Sequence, residues 1–255
     1  MQSNTSEHTE LSIKDYWKFI ITLIFIYVIL FEFILPANKI LPKPTLIYES
    51  FLSLVKDYNL FGEFGLTVTV IYSSLIAAYL VVFAFRAPIL KLLCTFTSLP
   101  SLLGIFKNFP AFFFAVLFAF WFGGSFFSEI IFGVTYSIFS MIGIMNRNIF
   151  RLNEAYLLTG RNMGLNENQI LNKIVWKEIQ QRIHSKLNKI HFYLWIWILV
   201  YEFINNSSGL GSIYFHTLSY NDFGGIFALA ISISFIIWFG KYLIEILNKK
   251  LIYWD

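Results

Sequence analysis

Long apolar runs separated by short polar joints organise this chain. A helix crossing the hydrocarbon layer of a bilayer needs about 20 mostly apolar residues. Tyr16–Leu35 is the first such run, behind a polar tail at residues 1–15. It is too long for a signal peptide, and Phe33-Ile34-Leu35-Pro36 is a poor cleavage site, so a retained anchor is expected. Leu66–Phe85 is the second run, closed by Arg86. Ile89–Phe106 is apolar but interrupted by Pro100 and Gly104, which predicts a bent, partly interfacial segment leading to a third span near Pro110–Phe122. Both one and two crossings fit residues 89–122. The fourth span is Phe126–Met145, the fifth Ile190–Phe203 and the sixth Phe223–Leu247, with a tail at residues 251–255.

Residues 36–62 form a mixed linker in which Pro42 and Pro44 prevent helix locally. Thr45 is placed to cap a short amphipathic helix with Leu46, Ile47, Phe51, Leu52 and Val55 on its apolar side. The pattern predicts an all-α membrane protein of about six transmembrane helices. Its main body is residues 63–250, which include a polar segment at 146–189.

Composition agrees. Hydrophobic residues make up 57% of the 255 positions and charged ones 13%, against roughly 25% charged in a soluble domain. A soluble core cannot hide so much apolar surface, and a disordered chain would not contain it. The single cysteine, Cys94, excludes a disulfide framework and a cysteine-based metal site. The net charge of +4 does not indicate nucleic acid, because the basic residues sit at the ends of apolar runs. With the N-terminus in the cytoplasm, Lys14, Lys18, Arg86, Lys91, Lys107, Lys249, Lys250 and the eight basic residues of the polar segment lie inside. Lys39, Lys43 and Lys56 lie outside, and Lys241 lies in the sixth span. Six spans with both termini cytoplasmic therefore satisfy the positive-inside rule.

The polar segment does not read as a disordered loop. Met163, Leu165, Ile170, Leu171, Ile174, Val175 and Ile179 recur at helical spacing, and Asn166 with Gln169 forms a capping pair. Two short amphipathic helices meeting near Gly164 are expected, with their apolar face covered either by a soluble partner or by the protein's own membrane domain.

Several motifs then fall in a recognisable order: Leu41-Pro42-Lys43-Pro44, Phe120-Trp121-Phe122-Gly123, Glu202 with Ser207-Ser208-Gly209-Leu210-Gly211, and the basic-aromatic Lys249-Lys250-Leu251-Ile252-Tyr253-Trp254. Over residues 41–255 the chain resembles the permease subunit of a bacterial ABC importer of the nitrate/sulfonate/taurine type. The resemblance implies an inner-membrane subunit that pairs with a second permease as homo- or heterodimer. It also implies cytoplasmic ATPase subunits that bind the ATP, and an extracytoplasmic solute-binding protein. In such permeases a cytoplasmic loop couples to the ATPase and reads Glu-Ala-Ala-x-x-x-Gly, with a Pro 13 residues after the Gly. Alignment on Gly164 puts Leu158, Thr159 and Gly160 at Glu-Ala-Ala and Lys177 at the Pro, while Arg161, Met163, Gly164 and Leu165 fit. Glu154-Ala155 resembles the motif at the wrong spacing.

Each candidate also has a plainer reading. Gly164 is either the turn that admits a coupling helix to a groove on the ATPase or an ordinary helix stop. Charges in or beside spans are costly. For Glu32 and Glu129, near the outer interface, and Glu245, near the inner one, snorkelling is the expectation. Glu202 is the better candidate, either lining the pathway or positioning the Gly-Leu-Gly turn. Gly209 and Gly211 serve a tight turn that is also the stuff of a gate loop. His184 and His191 lack partners at metal-ligand spacing and read as interfacial, Asn205-Asn206 as a helix terminus, and Trp195 and Trp197 as lipid or packing contacts. No phosphate-loop, His-Glu-x-x-His or Gly-x-Ser-x-Gly motif occurs. The expectation is a transport subunit, not an enzyme, with no metal and no cofactor of its own. A non-transporting membrane scaffold descended from a permease is the alternative, and an intramembrane enzyme built on Glu202, Glu129 and His191 is a more distant one.

Overall fold

A computed structural model describes residues 13–35, 41–95, 111–149 and 154–251. Among these residues every regular element is helical. Helix α1 (Ile13–Val28) runs on into a widened π-helical turn, Ile29–Ile34. The Tyr27 hydroxyl then donates to the Pro42 carbonyl at 2.7 Å, and Glu32 accepts from the Thr45 hydroxyl at 3.1 Å. The first helix is thereby tied to the start of α2 (Pro44–Asp57). Thr45 is not the cap: α2 begins one residue earlier, on Pro44, whose missing N–H costs nothing at the first helical position. The buried line of α2 is Ser50 and Leu54 rather than the full predicted apolar side, and Leu46 and Leu52 are exposed.

Among the described residues three helices are long and apolar enough to cross a membrane: α3 (Leu60–Ala84), α6 (Phe126–Ile149) and α11 (Phe223–Leu251). Before α6 come α4 (Arg86–Thr95) and α5 (Ala111–Phe122). The 12 residues of α5 extend about 18 Å, short of a full crossing. The predicted bend at Pro100 and Gly104 lies outside the described residues.

Two short helices follow α6, α7 (Glu154–Asn162) and α8 (Glu167–Ile170), and then the 30-residue α9 (Trp176–Asn205) and α10 (Leu210–Ser219). The second amphipathic helix and the fifth span are not separate elements. Helix α8, a π-helical stretch at Leu171–Val175 and α9 continue without a break, because the membrane boundary changes composition but not helical geometry. Lys177 sits one residue inside α9, where the family loop carries its helix-interrupting Pro.

Packing is close where side chains are small, as expected in lipid, where helix association relies on van der Waals fit rather than on water exclusion. At the α3–α6 crossing, a Cβ on Gly133 would lie 2.5 Å from Ser74 Oγ, and that hydroxyl donates to the Ile130 carbonyl. Helix α2 lies along α11 in the same way, with Gly224 against Ser50. Phe114, Phe118, Phe132 and Tyr201 form an aromatic cluster joining α5, α6 and α9, with the Phe132 and Tyr201 rings stacked at 4.9 Å.

Helices α3 and α9 are antiparallel and share two tyrosine–histidine bonds. The Tyr72 hydroxyl lies 3.2 Å from His191 Nε2, and the Tyr79 hydroxyl 3.1 Å from His184 Nε2. Both histidines are buried among the helices. Trp195 Nε1–H donates to His191 Nε2, which makes that nitrogen an acceptor. At the other pair, Gln180 donates to Tyr79, and His184 Nδ1 faces Asn248 Oδ1 at 3.1 Å, bringing α11 into the same network.

Candidate functional site

The candidate residues fall into two groups at opposite ends of α9, whose 30 residues extend about 45 Å.

At the C-terminal end, α9 stops at Asn205, and Asn206 takes the left-handed conformation (φ 47°). The chain then turns through Gly209 into α10. The first N–H groups of any helix have no partner within it. Here three successive ones are met by three different side chains. Gly209 N–H donates to Glu63 Oε2, Leu210 N–H to Thr67 Oγ1 at 2.9 Å, and Gly211 N–H to Glu202 Oε2 at 2.8 Å. The Thr67 hydroxyl in turn donates a hydrogen bond to Glu202 Oε1 at 2.7 Å, so it links the carboxyl group to the backbone. Glu202 and Thr67 are fully buried. The unpartnered N–H groups of a helix start suit carboxyl oxygens as acceptors.

Both glycines are required by this geometry. Gly209 has φ +86°, and a Cβ there would fall 2.2 Å from Glu202 Cδ. A Cβ on Gly211 would fall 2.3 Å from the Leu199 carbonyl oxygen. The Trp-Phe-Gly motif joins the same region: the Tyr201 hydroxyl donates to the Gly123 carbonyl at 2.7 Å, and Ser128 Oγ does the same.

Glu129, in the first turn of α6, does not snorkel. It is buried at 1% exposure, and its Oε1 has no hydrogen-bond partner among the described residues. Glu32 and Glu245 are less enclosed, Glu245 accepting from Asn188 and lying 3.8 Å from Lys241 Nζ.

At the other end, Leu158, Thr159, Gly160, Arg161, Met163, Gly164 and Leu165 all belong to one hairpin. Helix α7 ends at Asn162, and Gly164 (φ +76°) closes it, with Leu165 N–H reaching back to the Gly160 carbonyl at 3.1 Å. This is the left-handed stop that glycine adopts without penalty. Asn166 and Gln169 then form a reciprocal capping box at the start of α8.

The two faces of the hairpin differ sharply. Gly160 is buried, and a Cβ there would approach Ile174 Cδ1 to 2.6 Å. Ile170, Val175, Trp176 and Ile179 are buried, and Leu165, Leu171 and Ile174 pack against the core. The Arg86 side chain lies over the Phe83 ring and donates to Asn172 Oδ1, fixing the hairpin to the end of α3. The membrane domain thus covers most of the predicted apolar face. Tyr156, Leu158 and Met163 remain outside it, and Met163 is 75% exposed.

Glu63 and Thr67 were not singled out by the sequence reading. Their only signal is a pair of polar residues four apart, on one side of the second span. The comparisons with known proteins place these observations. The family described as binding-protein-dependent transport system inner membrane component matches residues 71–253. The chain belongs to this family: it is a multi-pass ABC-transporter permease. Permeases of the family work with an ATPase and a solute-binding protein. The match takes in α9 with both of its ends, while Glu63 and Thr67 precede it. No curated protein matches the chain.

Proposed function

We propose that this permease crosses a bacterial inner membrane six times, with both termini in the cytoplasm. It pairs with a second permease copy, as homo- or heterodimer, to enclose the translocation pathway of an ATP-driven importer. The solute is a small one, of the sulfonate, nitrate or vitamin-precursor class. ATP binds and is hydrolysed on a partner chain, and this chain itself catalyses nothing. The solute arrives on an extracytoplasmic binding protein.

In this reading the hairpin at 154–165 docks on the ATPase. At the far end of α9, the Glu202-Gly209-Gly211 turn lies at the outer mouth. The observation that carries the docking role is the two-sided hairpin, with Gly160 locked against Ile174 on one face and Leu158 and Met163 held out on the other. A switch in access then follows from differential binding of the hairpin by the ATPase in its two states.

The test is a mild-detergent pull-down of the tagged chain from native membranes. A stoichiometric ATPase subunit is the expected result, lost when Leu158 and Met163 are both replaced by Asp. A folded chain that recovers no ATPase would move the assignment to the non-transporting scaffold. That alternative draws on Leu158 standing where the family loop carries its Glu.

A further inference from the structure

Helices α6 and α9 separate on one side to leave an open groove of about 960 Å³. Three cations rim one end of it, Arg147 from α6 and Lys186 and Lys189 from α9. Tyr136 and Trp197 stand at the other, their rings 6.4 Å apart. From Lys186 to Trp197 the groove follows 11 residues of helix, about 16 Å.

No carboxylate among the described residues lines this groove. Arg147 donates to the Gly143 carbonyl of its own helix, and Lys189 lies over the Tyr193 ring at 5.8 Å. Among the described residues none of the three cations makes an ion pair. Three positive charges are therefore gathered at one end of an apolar, aromatic channel that is open along its length.

This combination fits one kind of molecule. We propose that the groove binds an anionic phospholipid, its headgroup phosphate held by Arg147, Lys186 and Lys189 and one acyl chain lying toward Tyr136 and Trp197. Charge complementarity selects the lipid class: a zwitterionic headgroup carries no net charge to repay gathering three cations. A small free anion would use the rim alone and leave the 16 Å shaft without a role. Basic pockets at the cytoplasmic ends of transmembrane helices are suited to such headgroups. The inner-leaflet location rests on the proposed orientation, which puts this end of α6 and α9 in the cytoplasm.

The test is native mass spectrometry of the full chain, with whatever subunits copurify, after titration with phosphatidylglycerol or phosphatidylcholine in detergent. Preferential retention of phosphatidylglycerol is expected. Each cation removed should weaken it about fivefold, and the triple variant R147Q/K186Q/K189Q on the order of a hundredfold. The charge-preserving pair K186R/K189R should retain the lipid, which separates loss of charge from loss of fold, as should the control K173Q on the hairpin side.

Equal retention of the two lipids would overturn the proposal. So would displacement of phosphatidylglycerol by millimolar inorganic phosphate, which would mark a small-anion site. Protection of the groove by a second copy of the chain, detected by cross-linking at position 193, would overturn it as well. Orientation is read separately. In a C94S background, K186C should react with an impermeant maleimide only in inverted vesicles. Labelling from outside intact cells would reverse the topology while leaving the lipid selectivity standing.

Discussion

Replacing Thr67 by Val keeps the shape of the side chain and removes one oxygen. That oxygen sits between two structural partners, accepting from Leu210 N–H at 2.9 Å and donating to Glu202 Oε1 at 2.7 Å. All three residues are buried, so no water replaces it. The substitution leaves one buried amide without an acceptor and one carboxylate oxygen without a donor. Each unsatisfied group costs about 1–3 kcal/mol, and the two together about 2–6 kcal/mol. For a chain of this size each kcal/mol lowers the melting temperature by about 2–4 °C. Thr67→Val should therefore melt roughly 4–24 °C below the parent, measured by intrinsic tryptophan fluorescence in detergent. Thr67→Ser restores the hydroxyl and gives up one buried methyl, so it should lose only about 1 kcal/mol. A Thr67→Val protein melting within about 1 °C of the parent would refute the view that this hydroxyl holds the turn. The same result would follow if serine and valine were equally damaging.

Gly209→Ala should fail more severely than Thr67→Val, with loss of the monodisperse detergent-solubilised species, since it combines positive φ with a 2.2 Å contact to the Glu202 carboxyl. Gly160→Ala should cost about 1 kcal/mol, because its Cβ meets only the flexible end of Ile174; shortening that side chain with Ile174→Val should recover the melting temperature. Gly164→Val has room for the side chain but not the backbone for it, φ being +76°. It should insert normally yet uncouple ATP hydrolysis from uptake, and unchanged uptake would remove Gly164 from the coupling role. Tyr79→Phe should cost about 1–3 kcal/mol by leaving His184 Nε2 and Gln180 without their shared partner, read as a melting shift that His184→Ala does not add to.

The helices that depend only on local pattern were legible in the sequence. Apolar runs located α3, α6 and α11, and the Asn166–Gln169 pair marked a helix start that the structure contains. What escaped depends on which side of a span faces protein. Glu129 lies where a carboxylate can reach water, but position along a helix does not give the direction of its side chain, and this one points inward. Glu63 and Thr67 meet their partners across 146 and 143 residues of chain, a juxtaposition no local window contains. The same holds for His184 and His191, whose tyrosines arrive from α3. The continuity of α8 with α9 was hidden for another reason: a polar half and an apolar half look like two elements until one axis is seen to carry both. Glu202, Gly209 and Gly211 stood out because their motif at a span's end resembles that of the permeases, while Glu63 and Thr67, which meet the same turn, carried no such signal.

The two tyrosine–histidine pairs have a mechanical consequence. Tyr72 and Tyr79 are seven residues apart, as are His184 and His191, so the bonds repeat about 10.5 Å apart along the same seam. One such bond would act as a hinge; two act as a pair of dowels. Sliding α3 along α9, or rolling one over the other, shears both at once, and the inner dowel also holds α11 through Asn248. These helices therefore travel as one plank. That unit runs from the hairpin end of α9 to its glycine-turn end, so under the proposed docking role a displacement at one end is expected at the other.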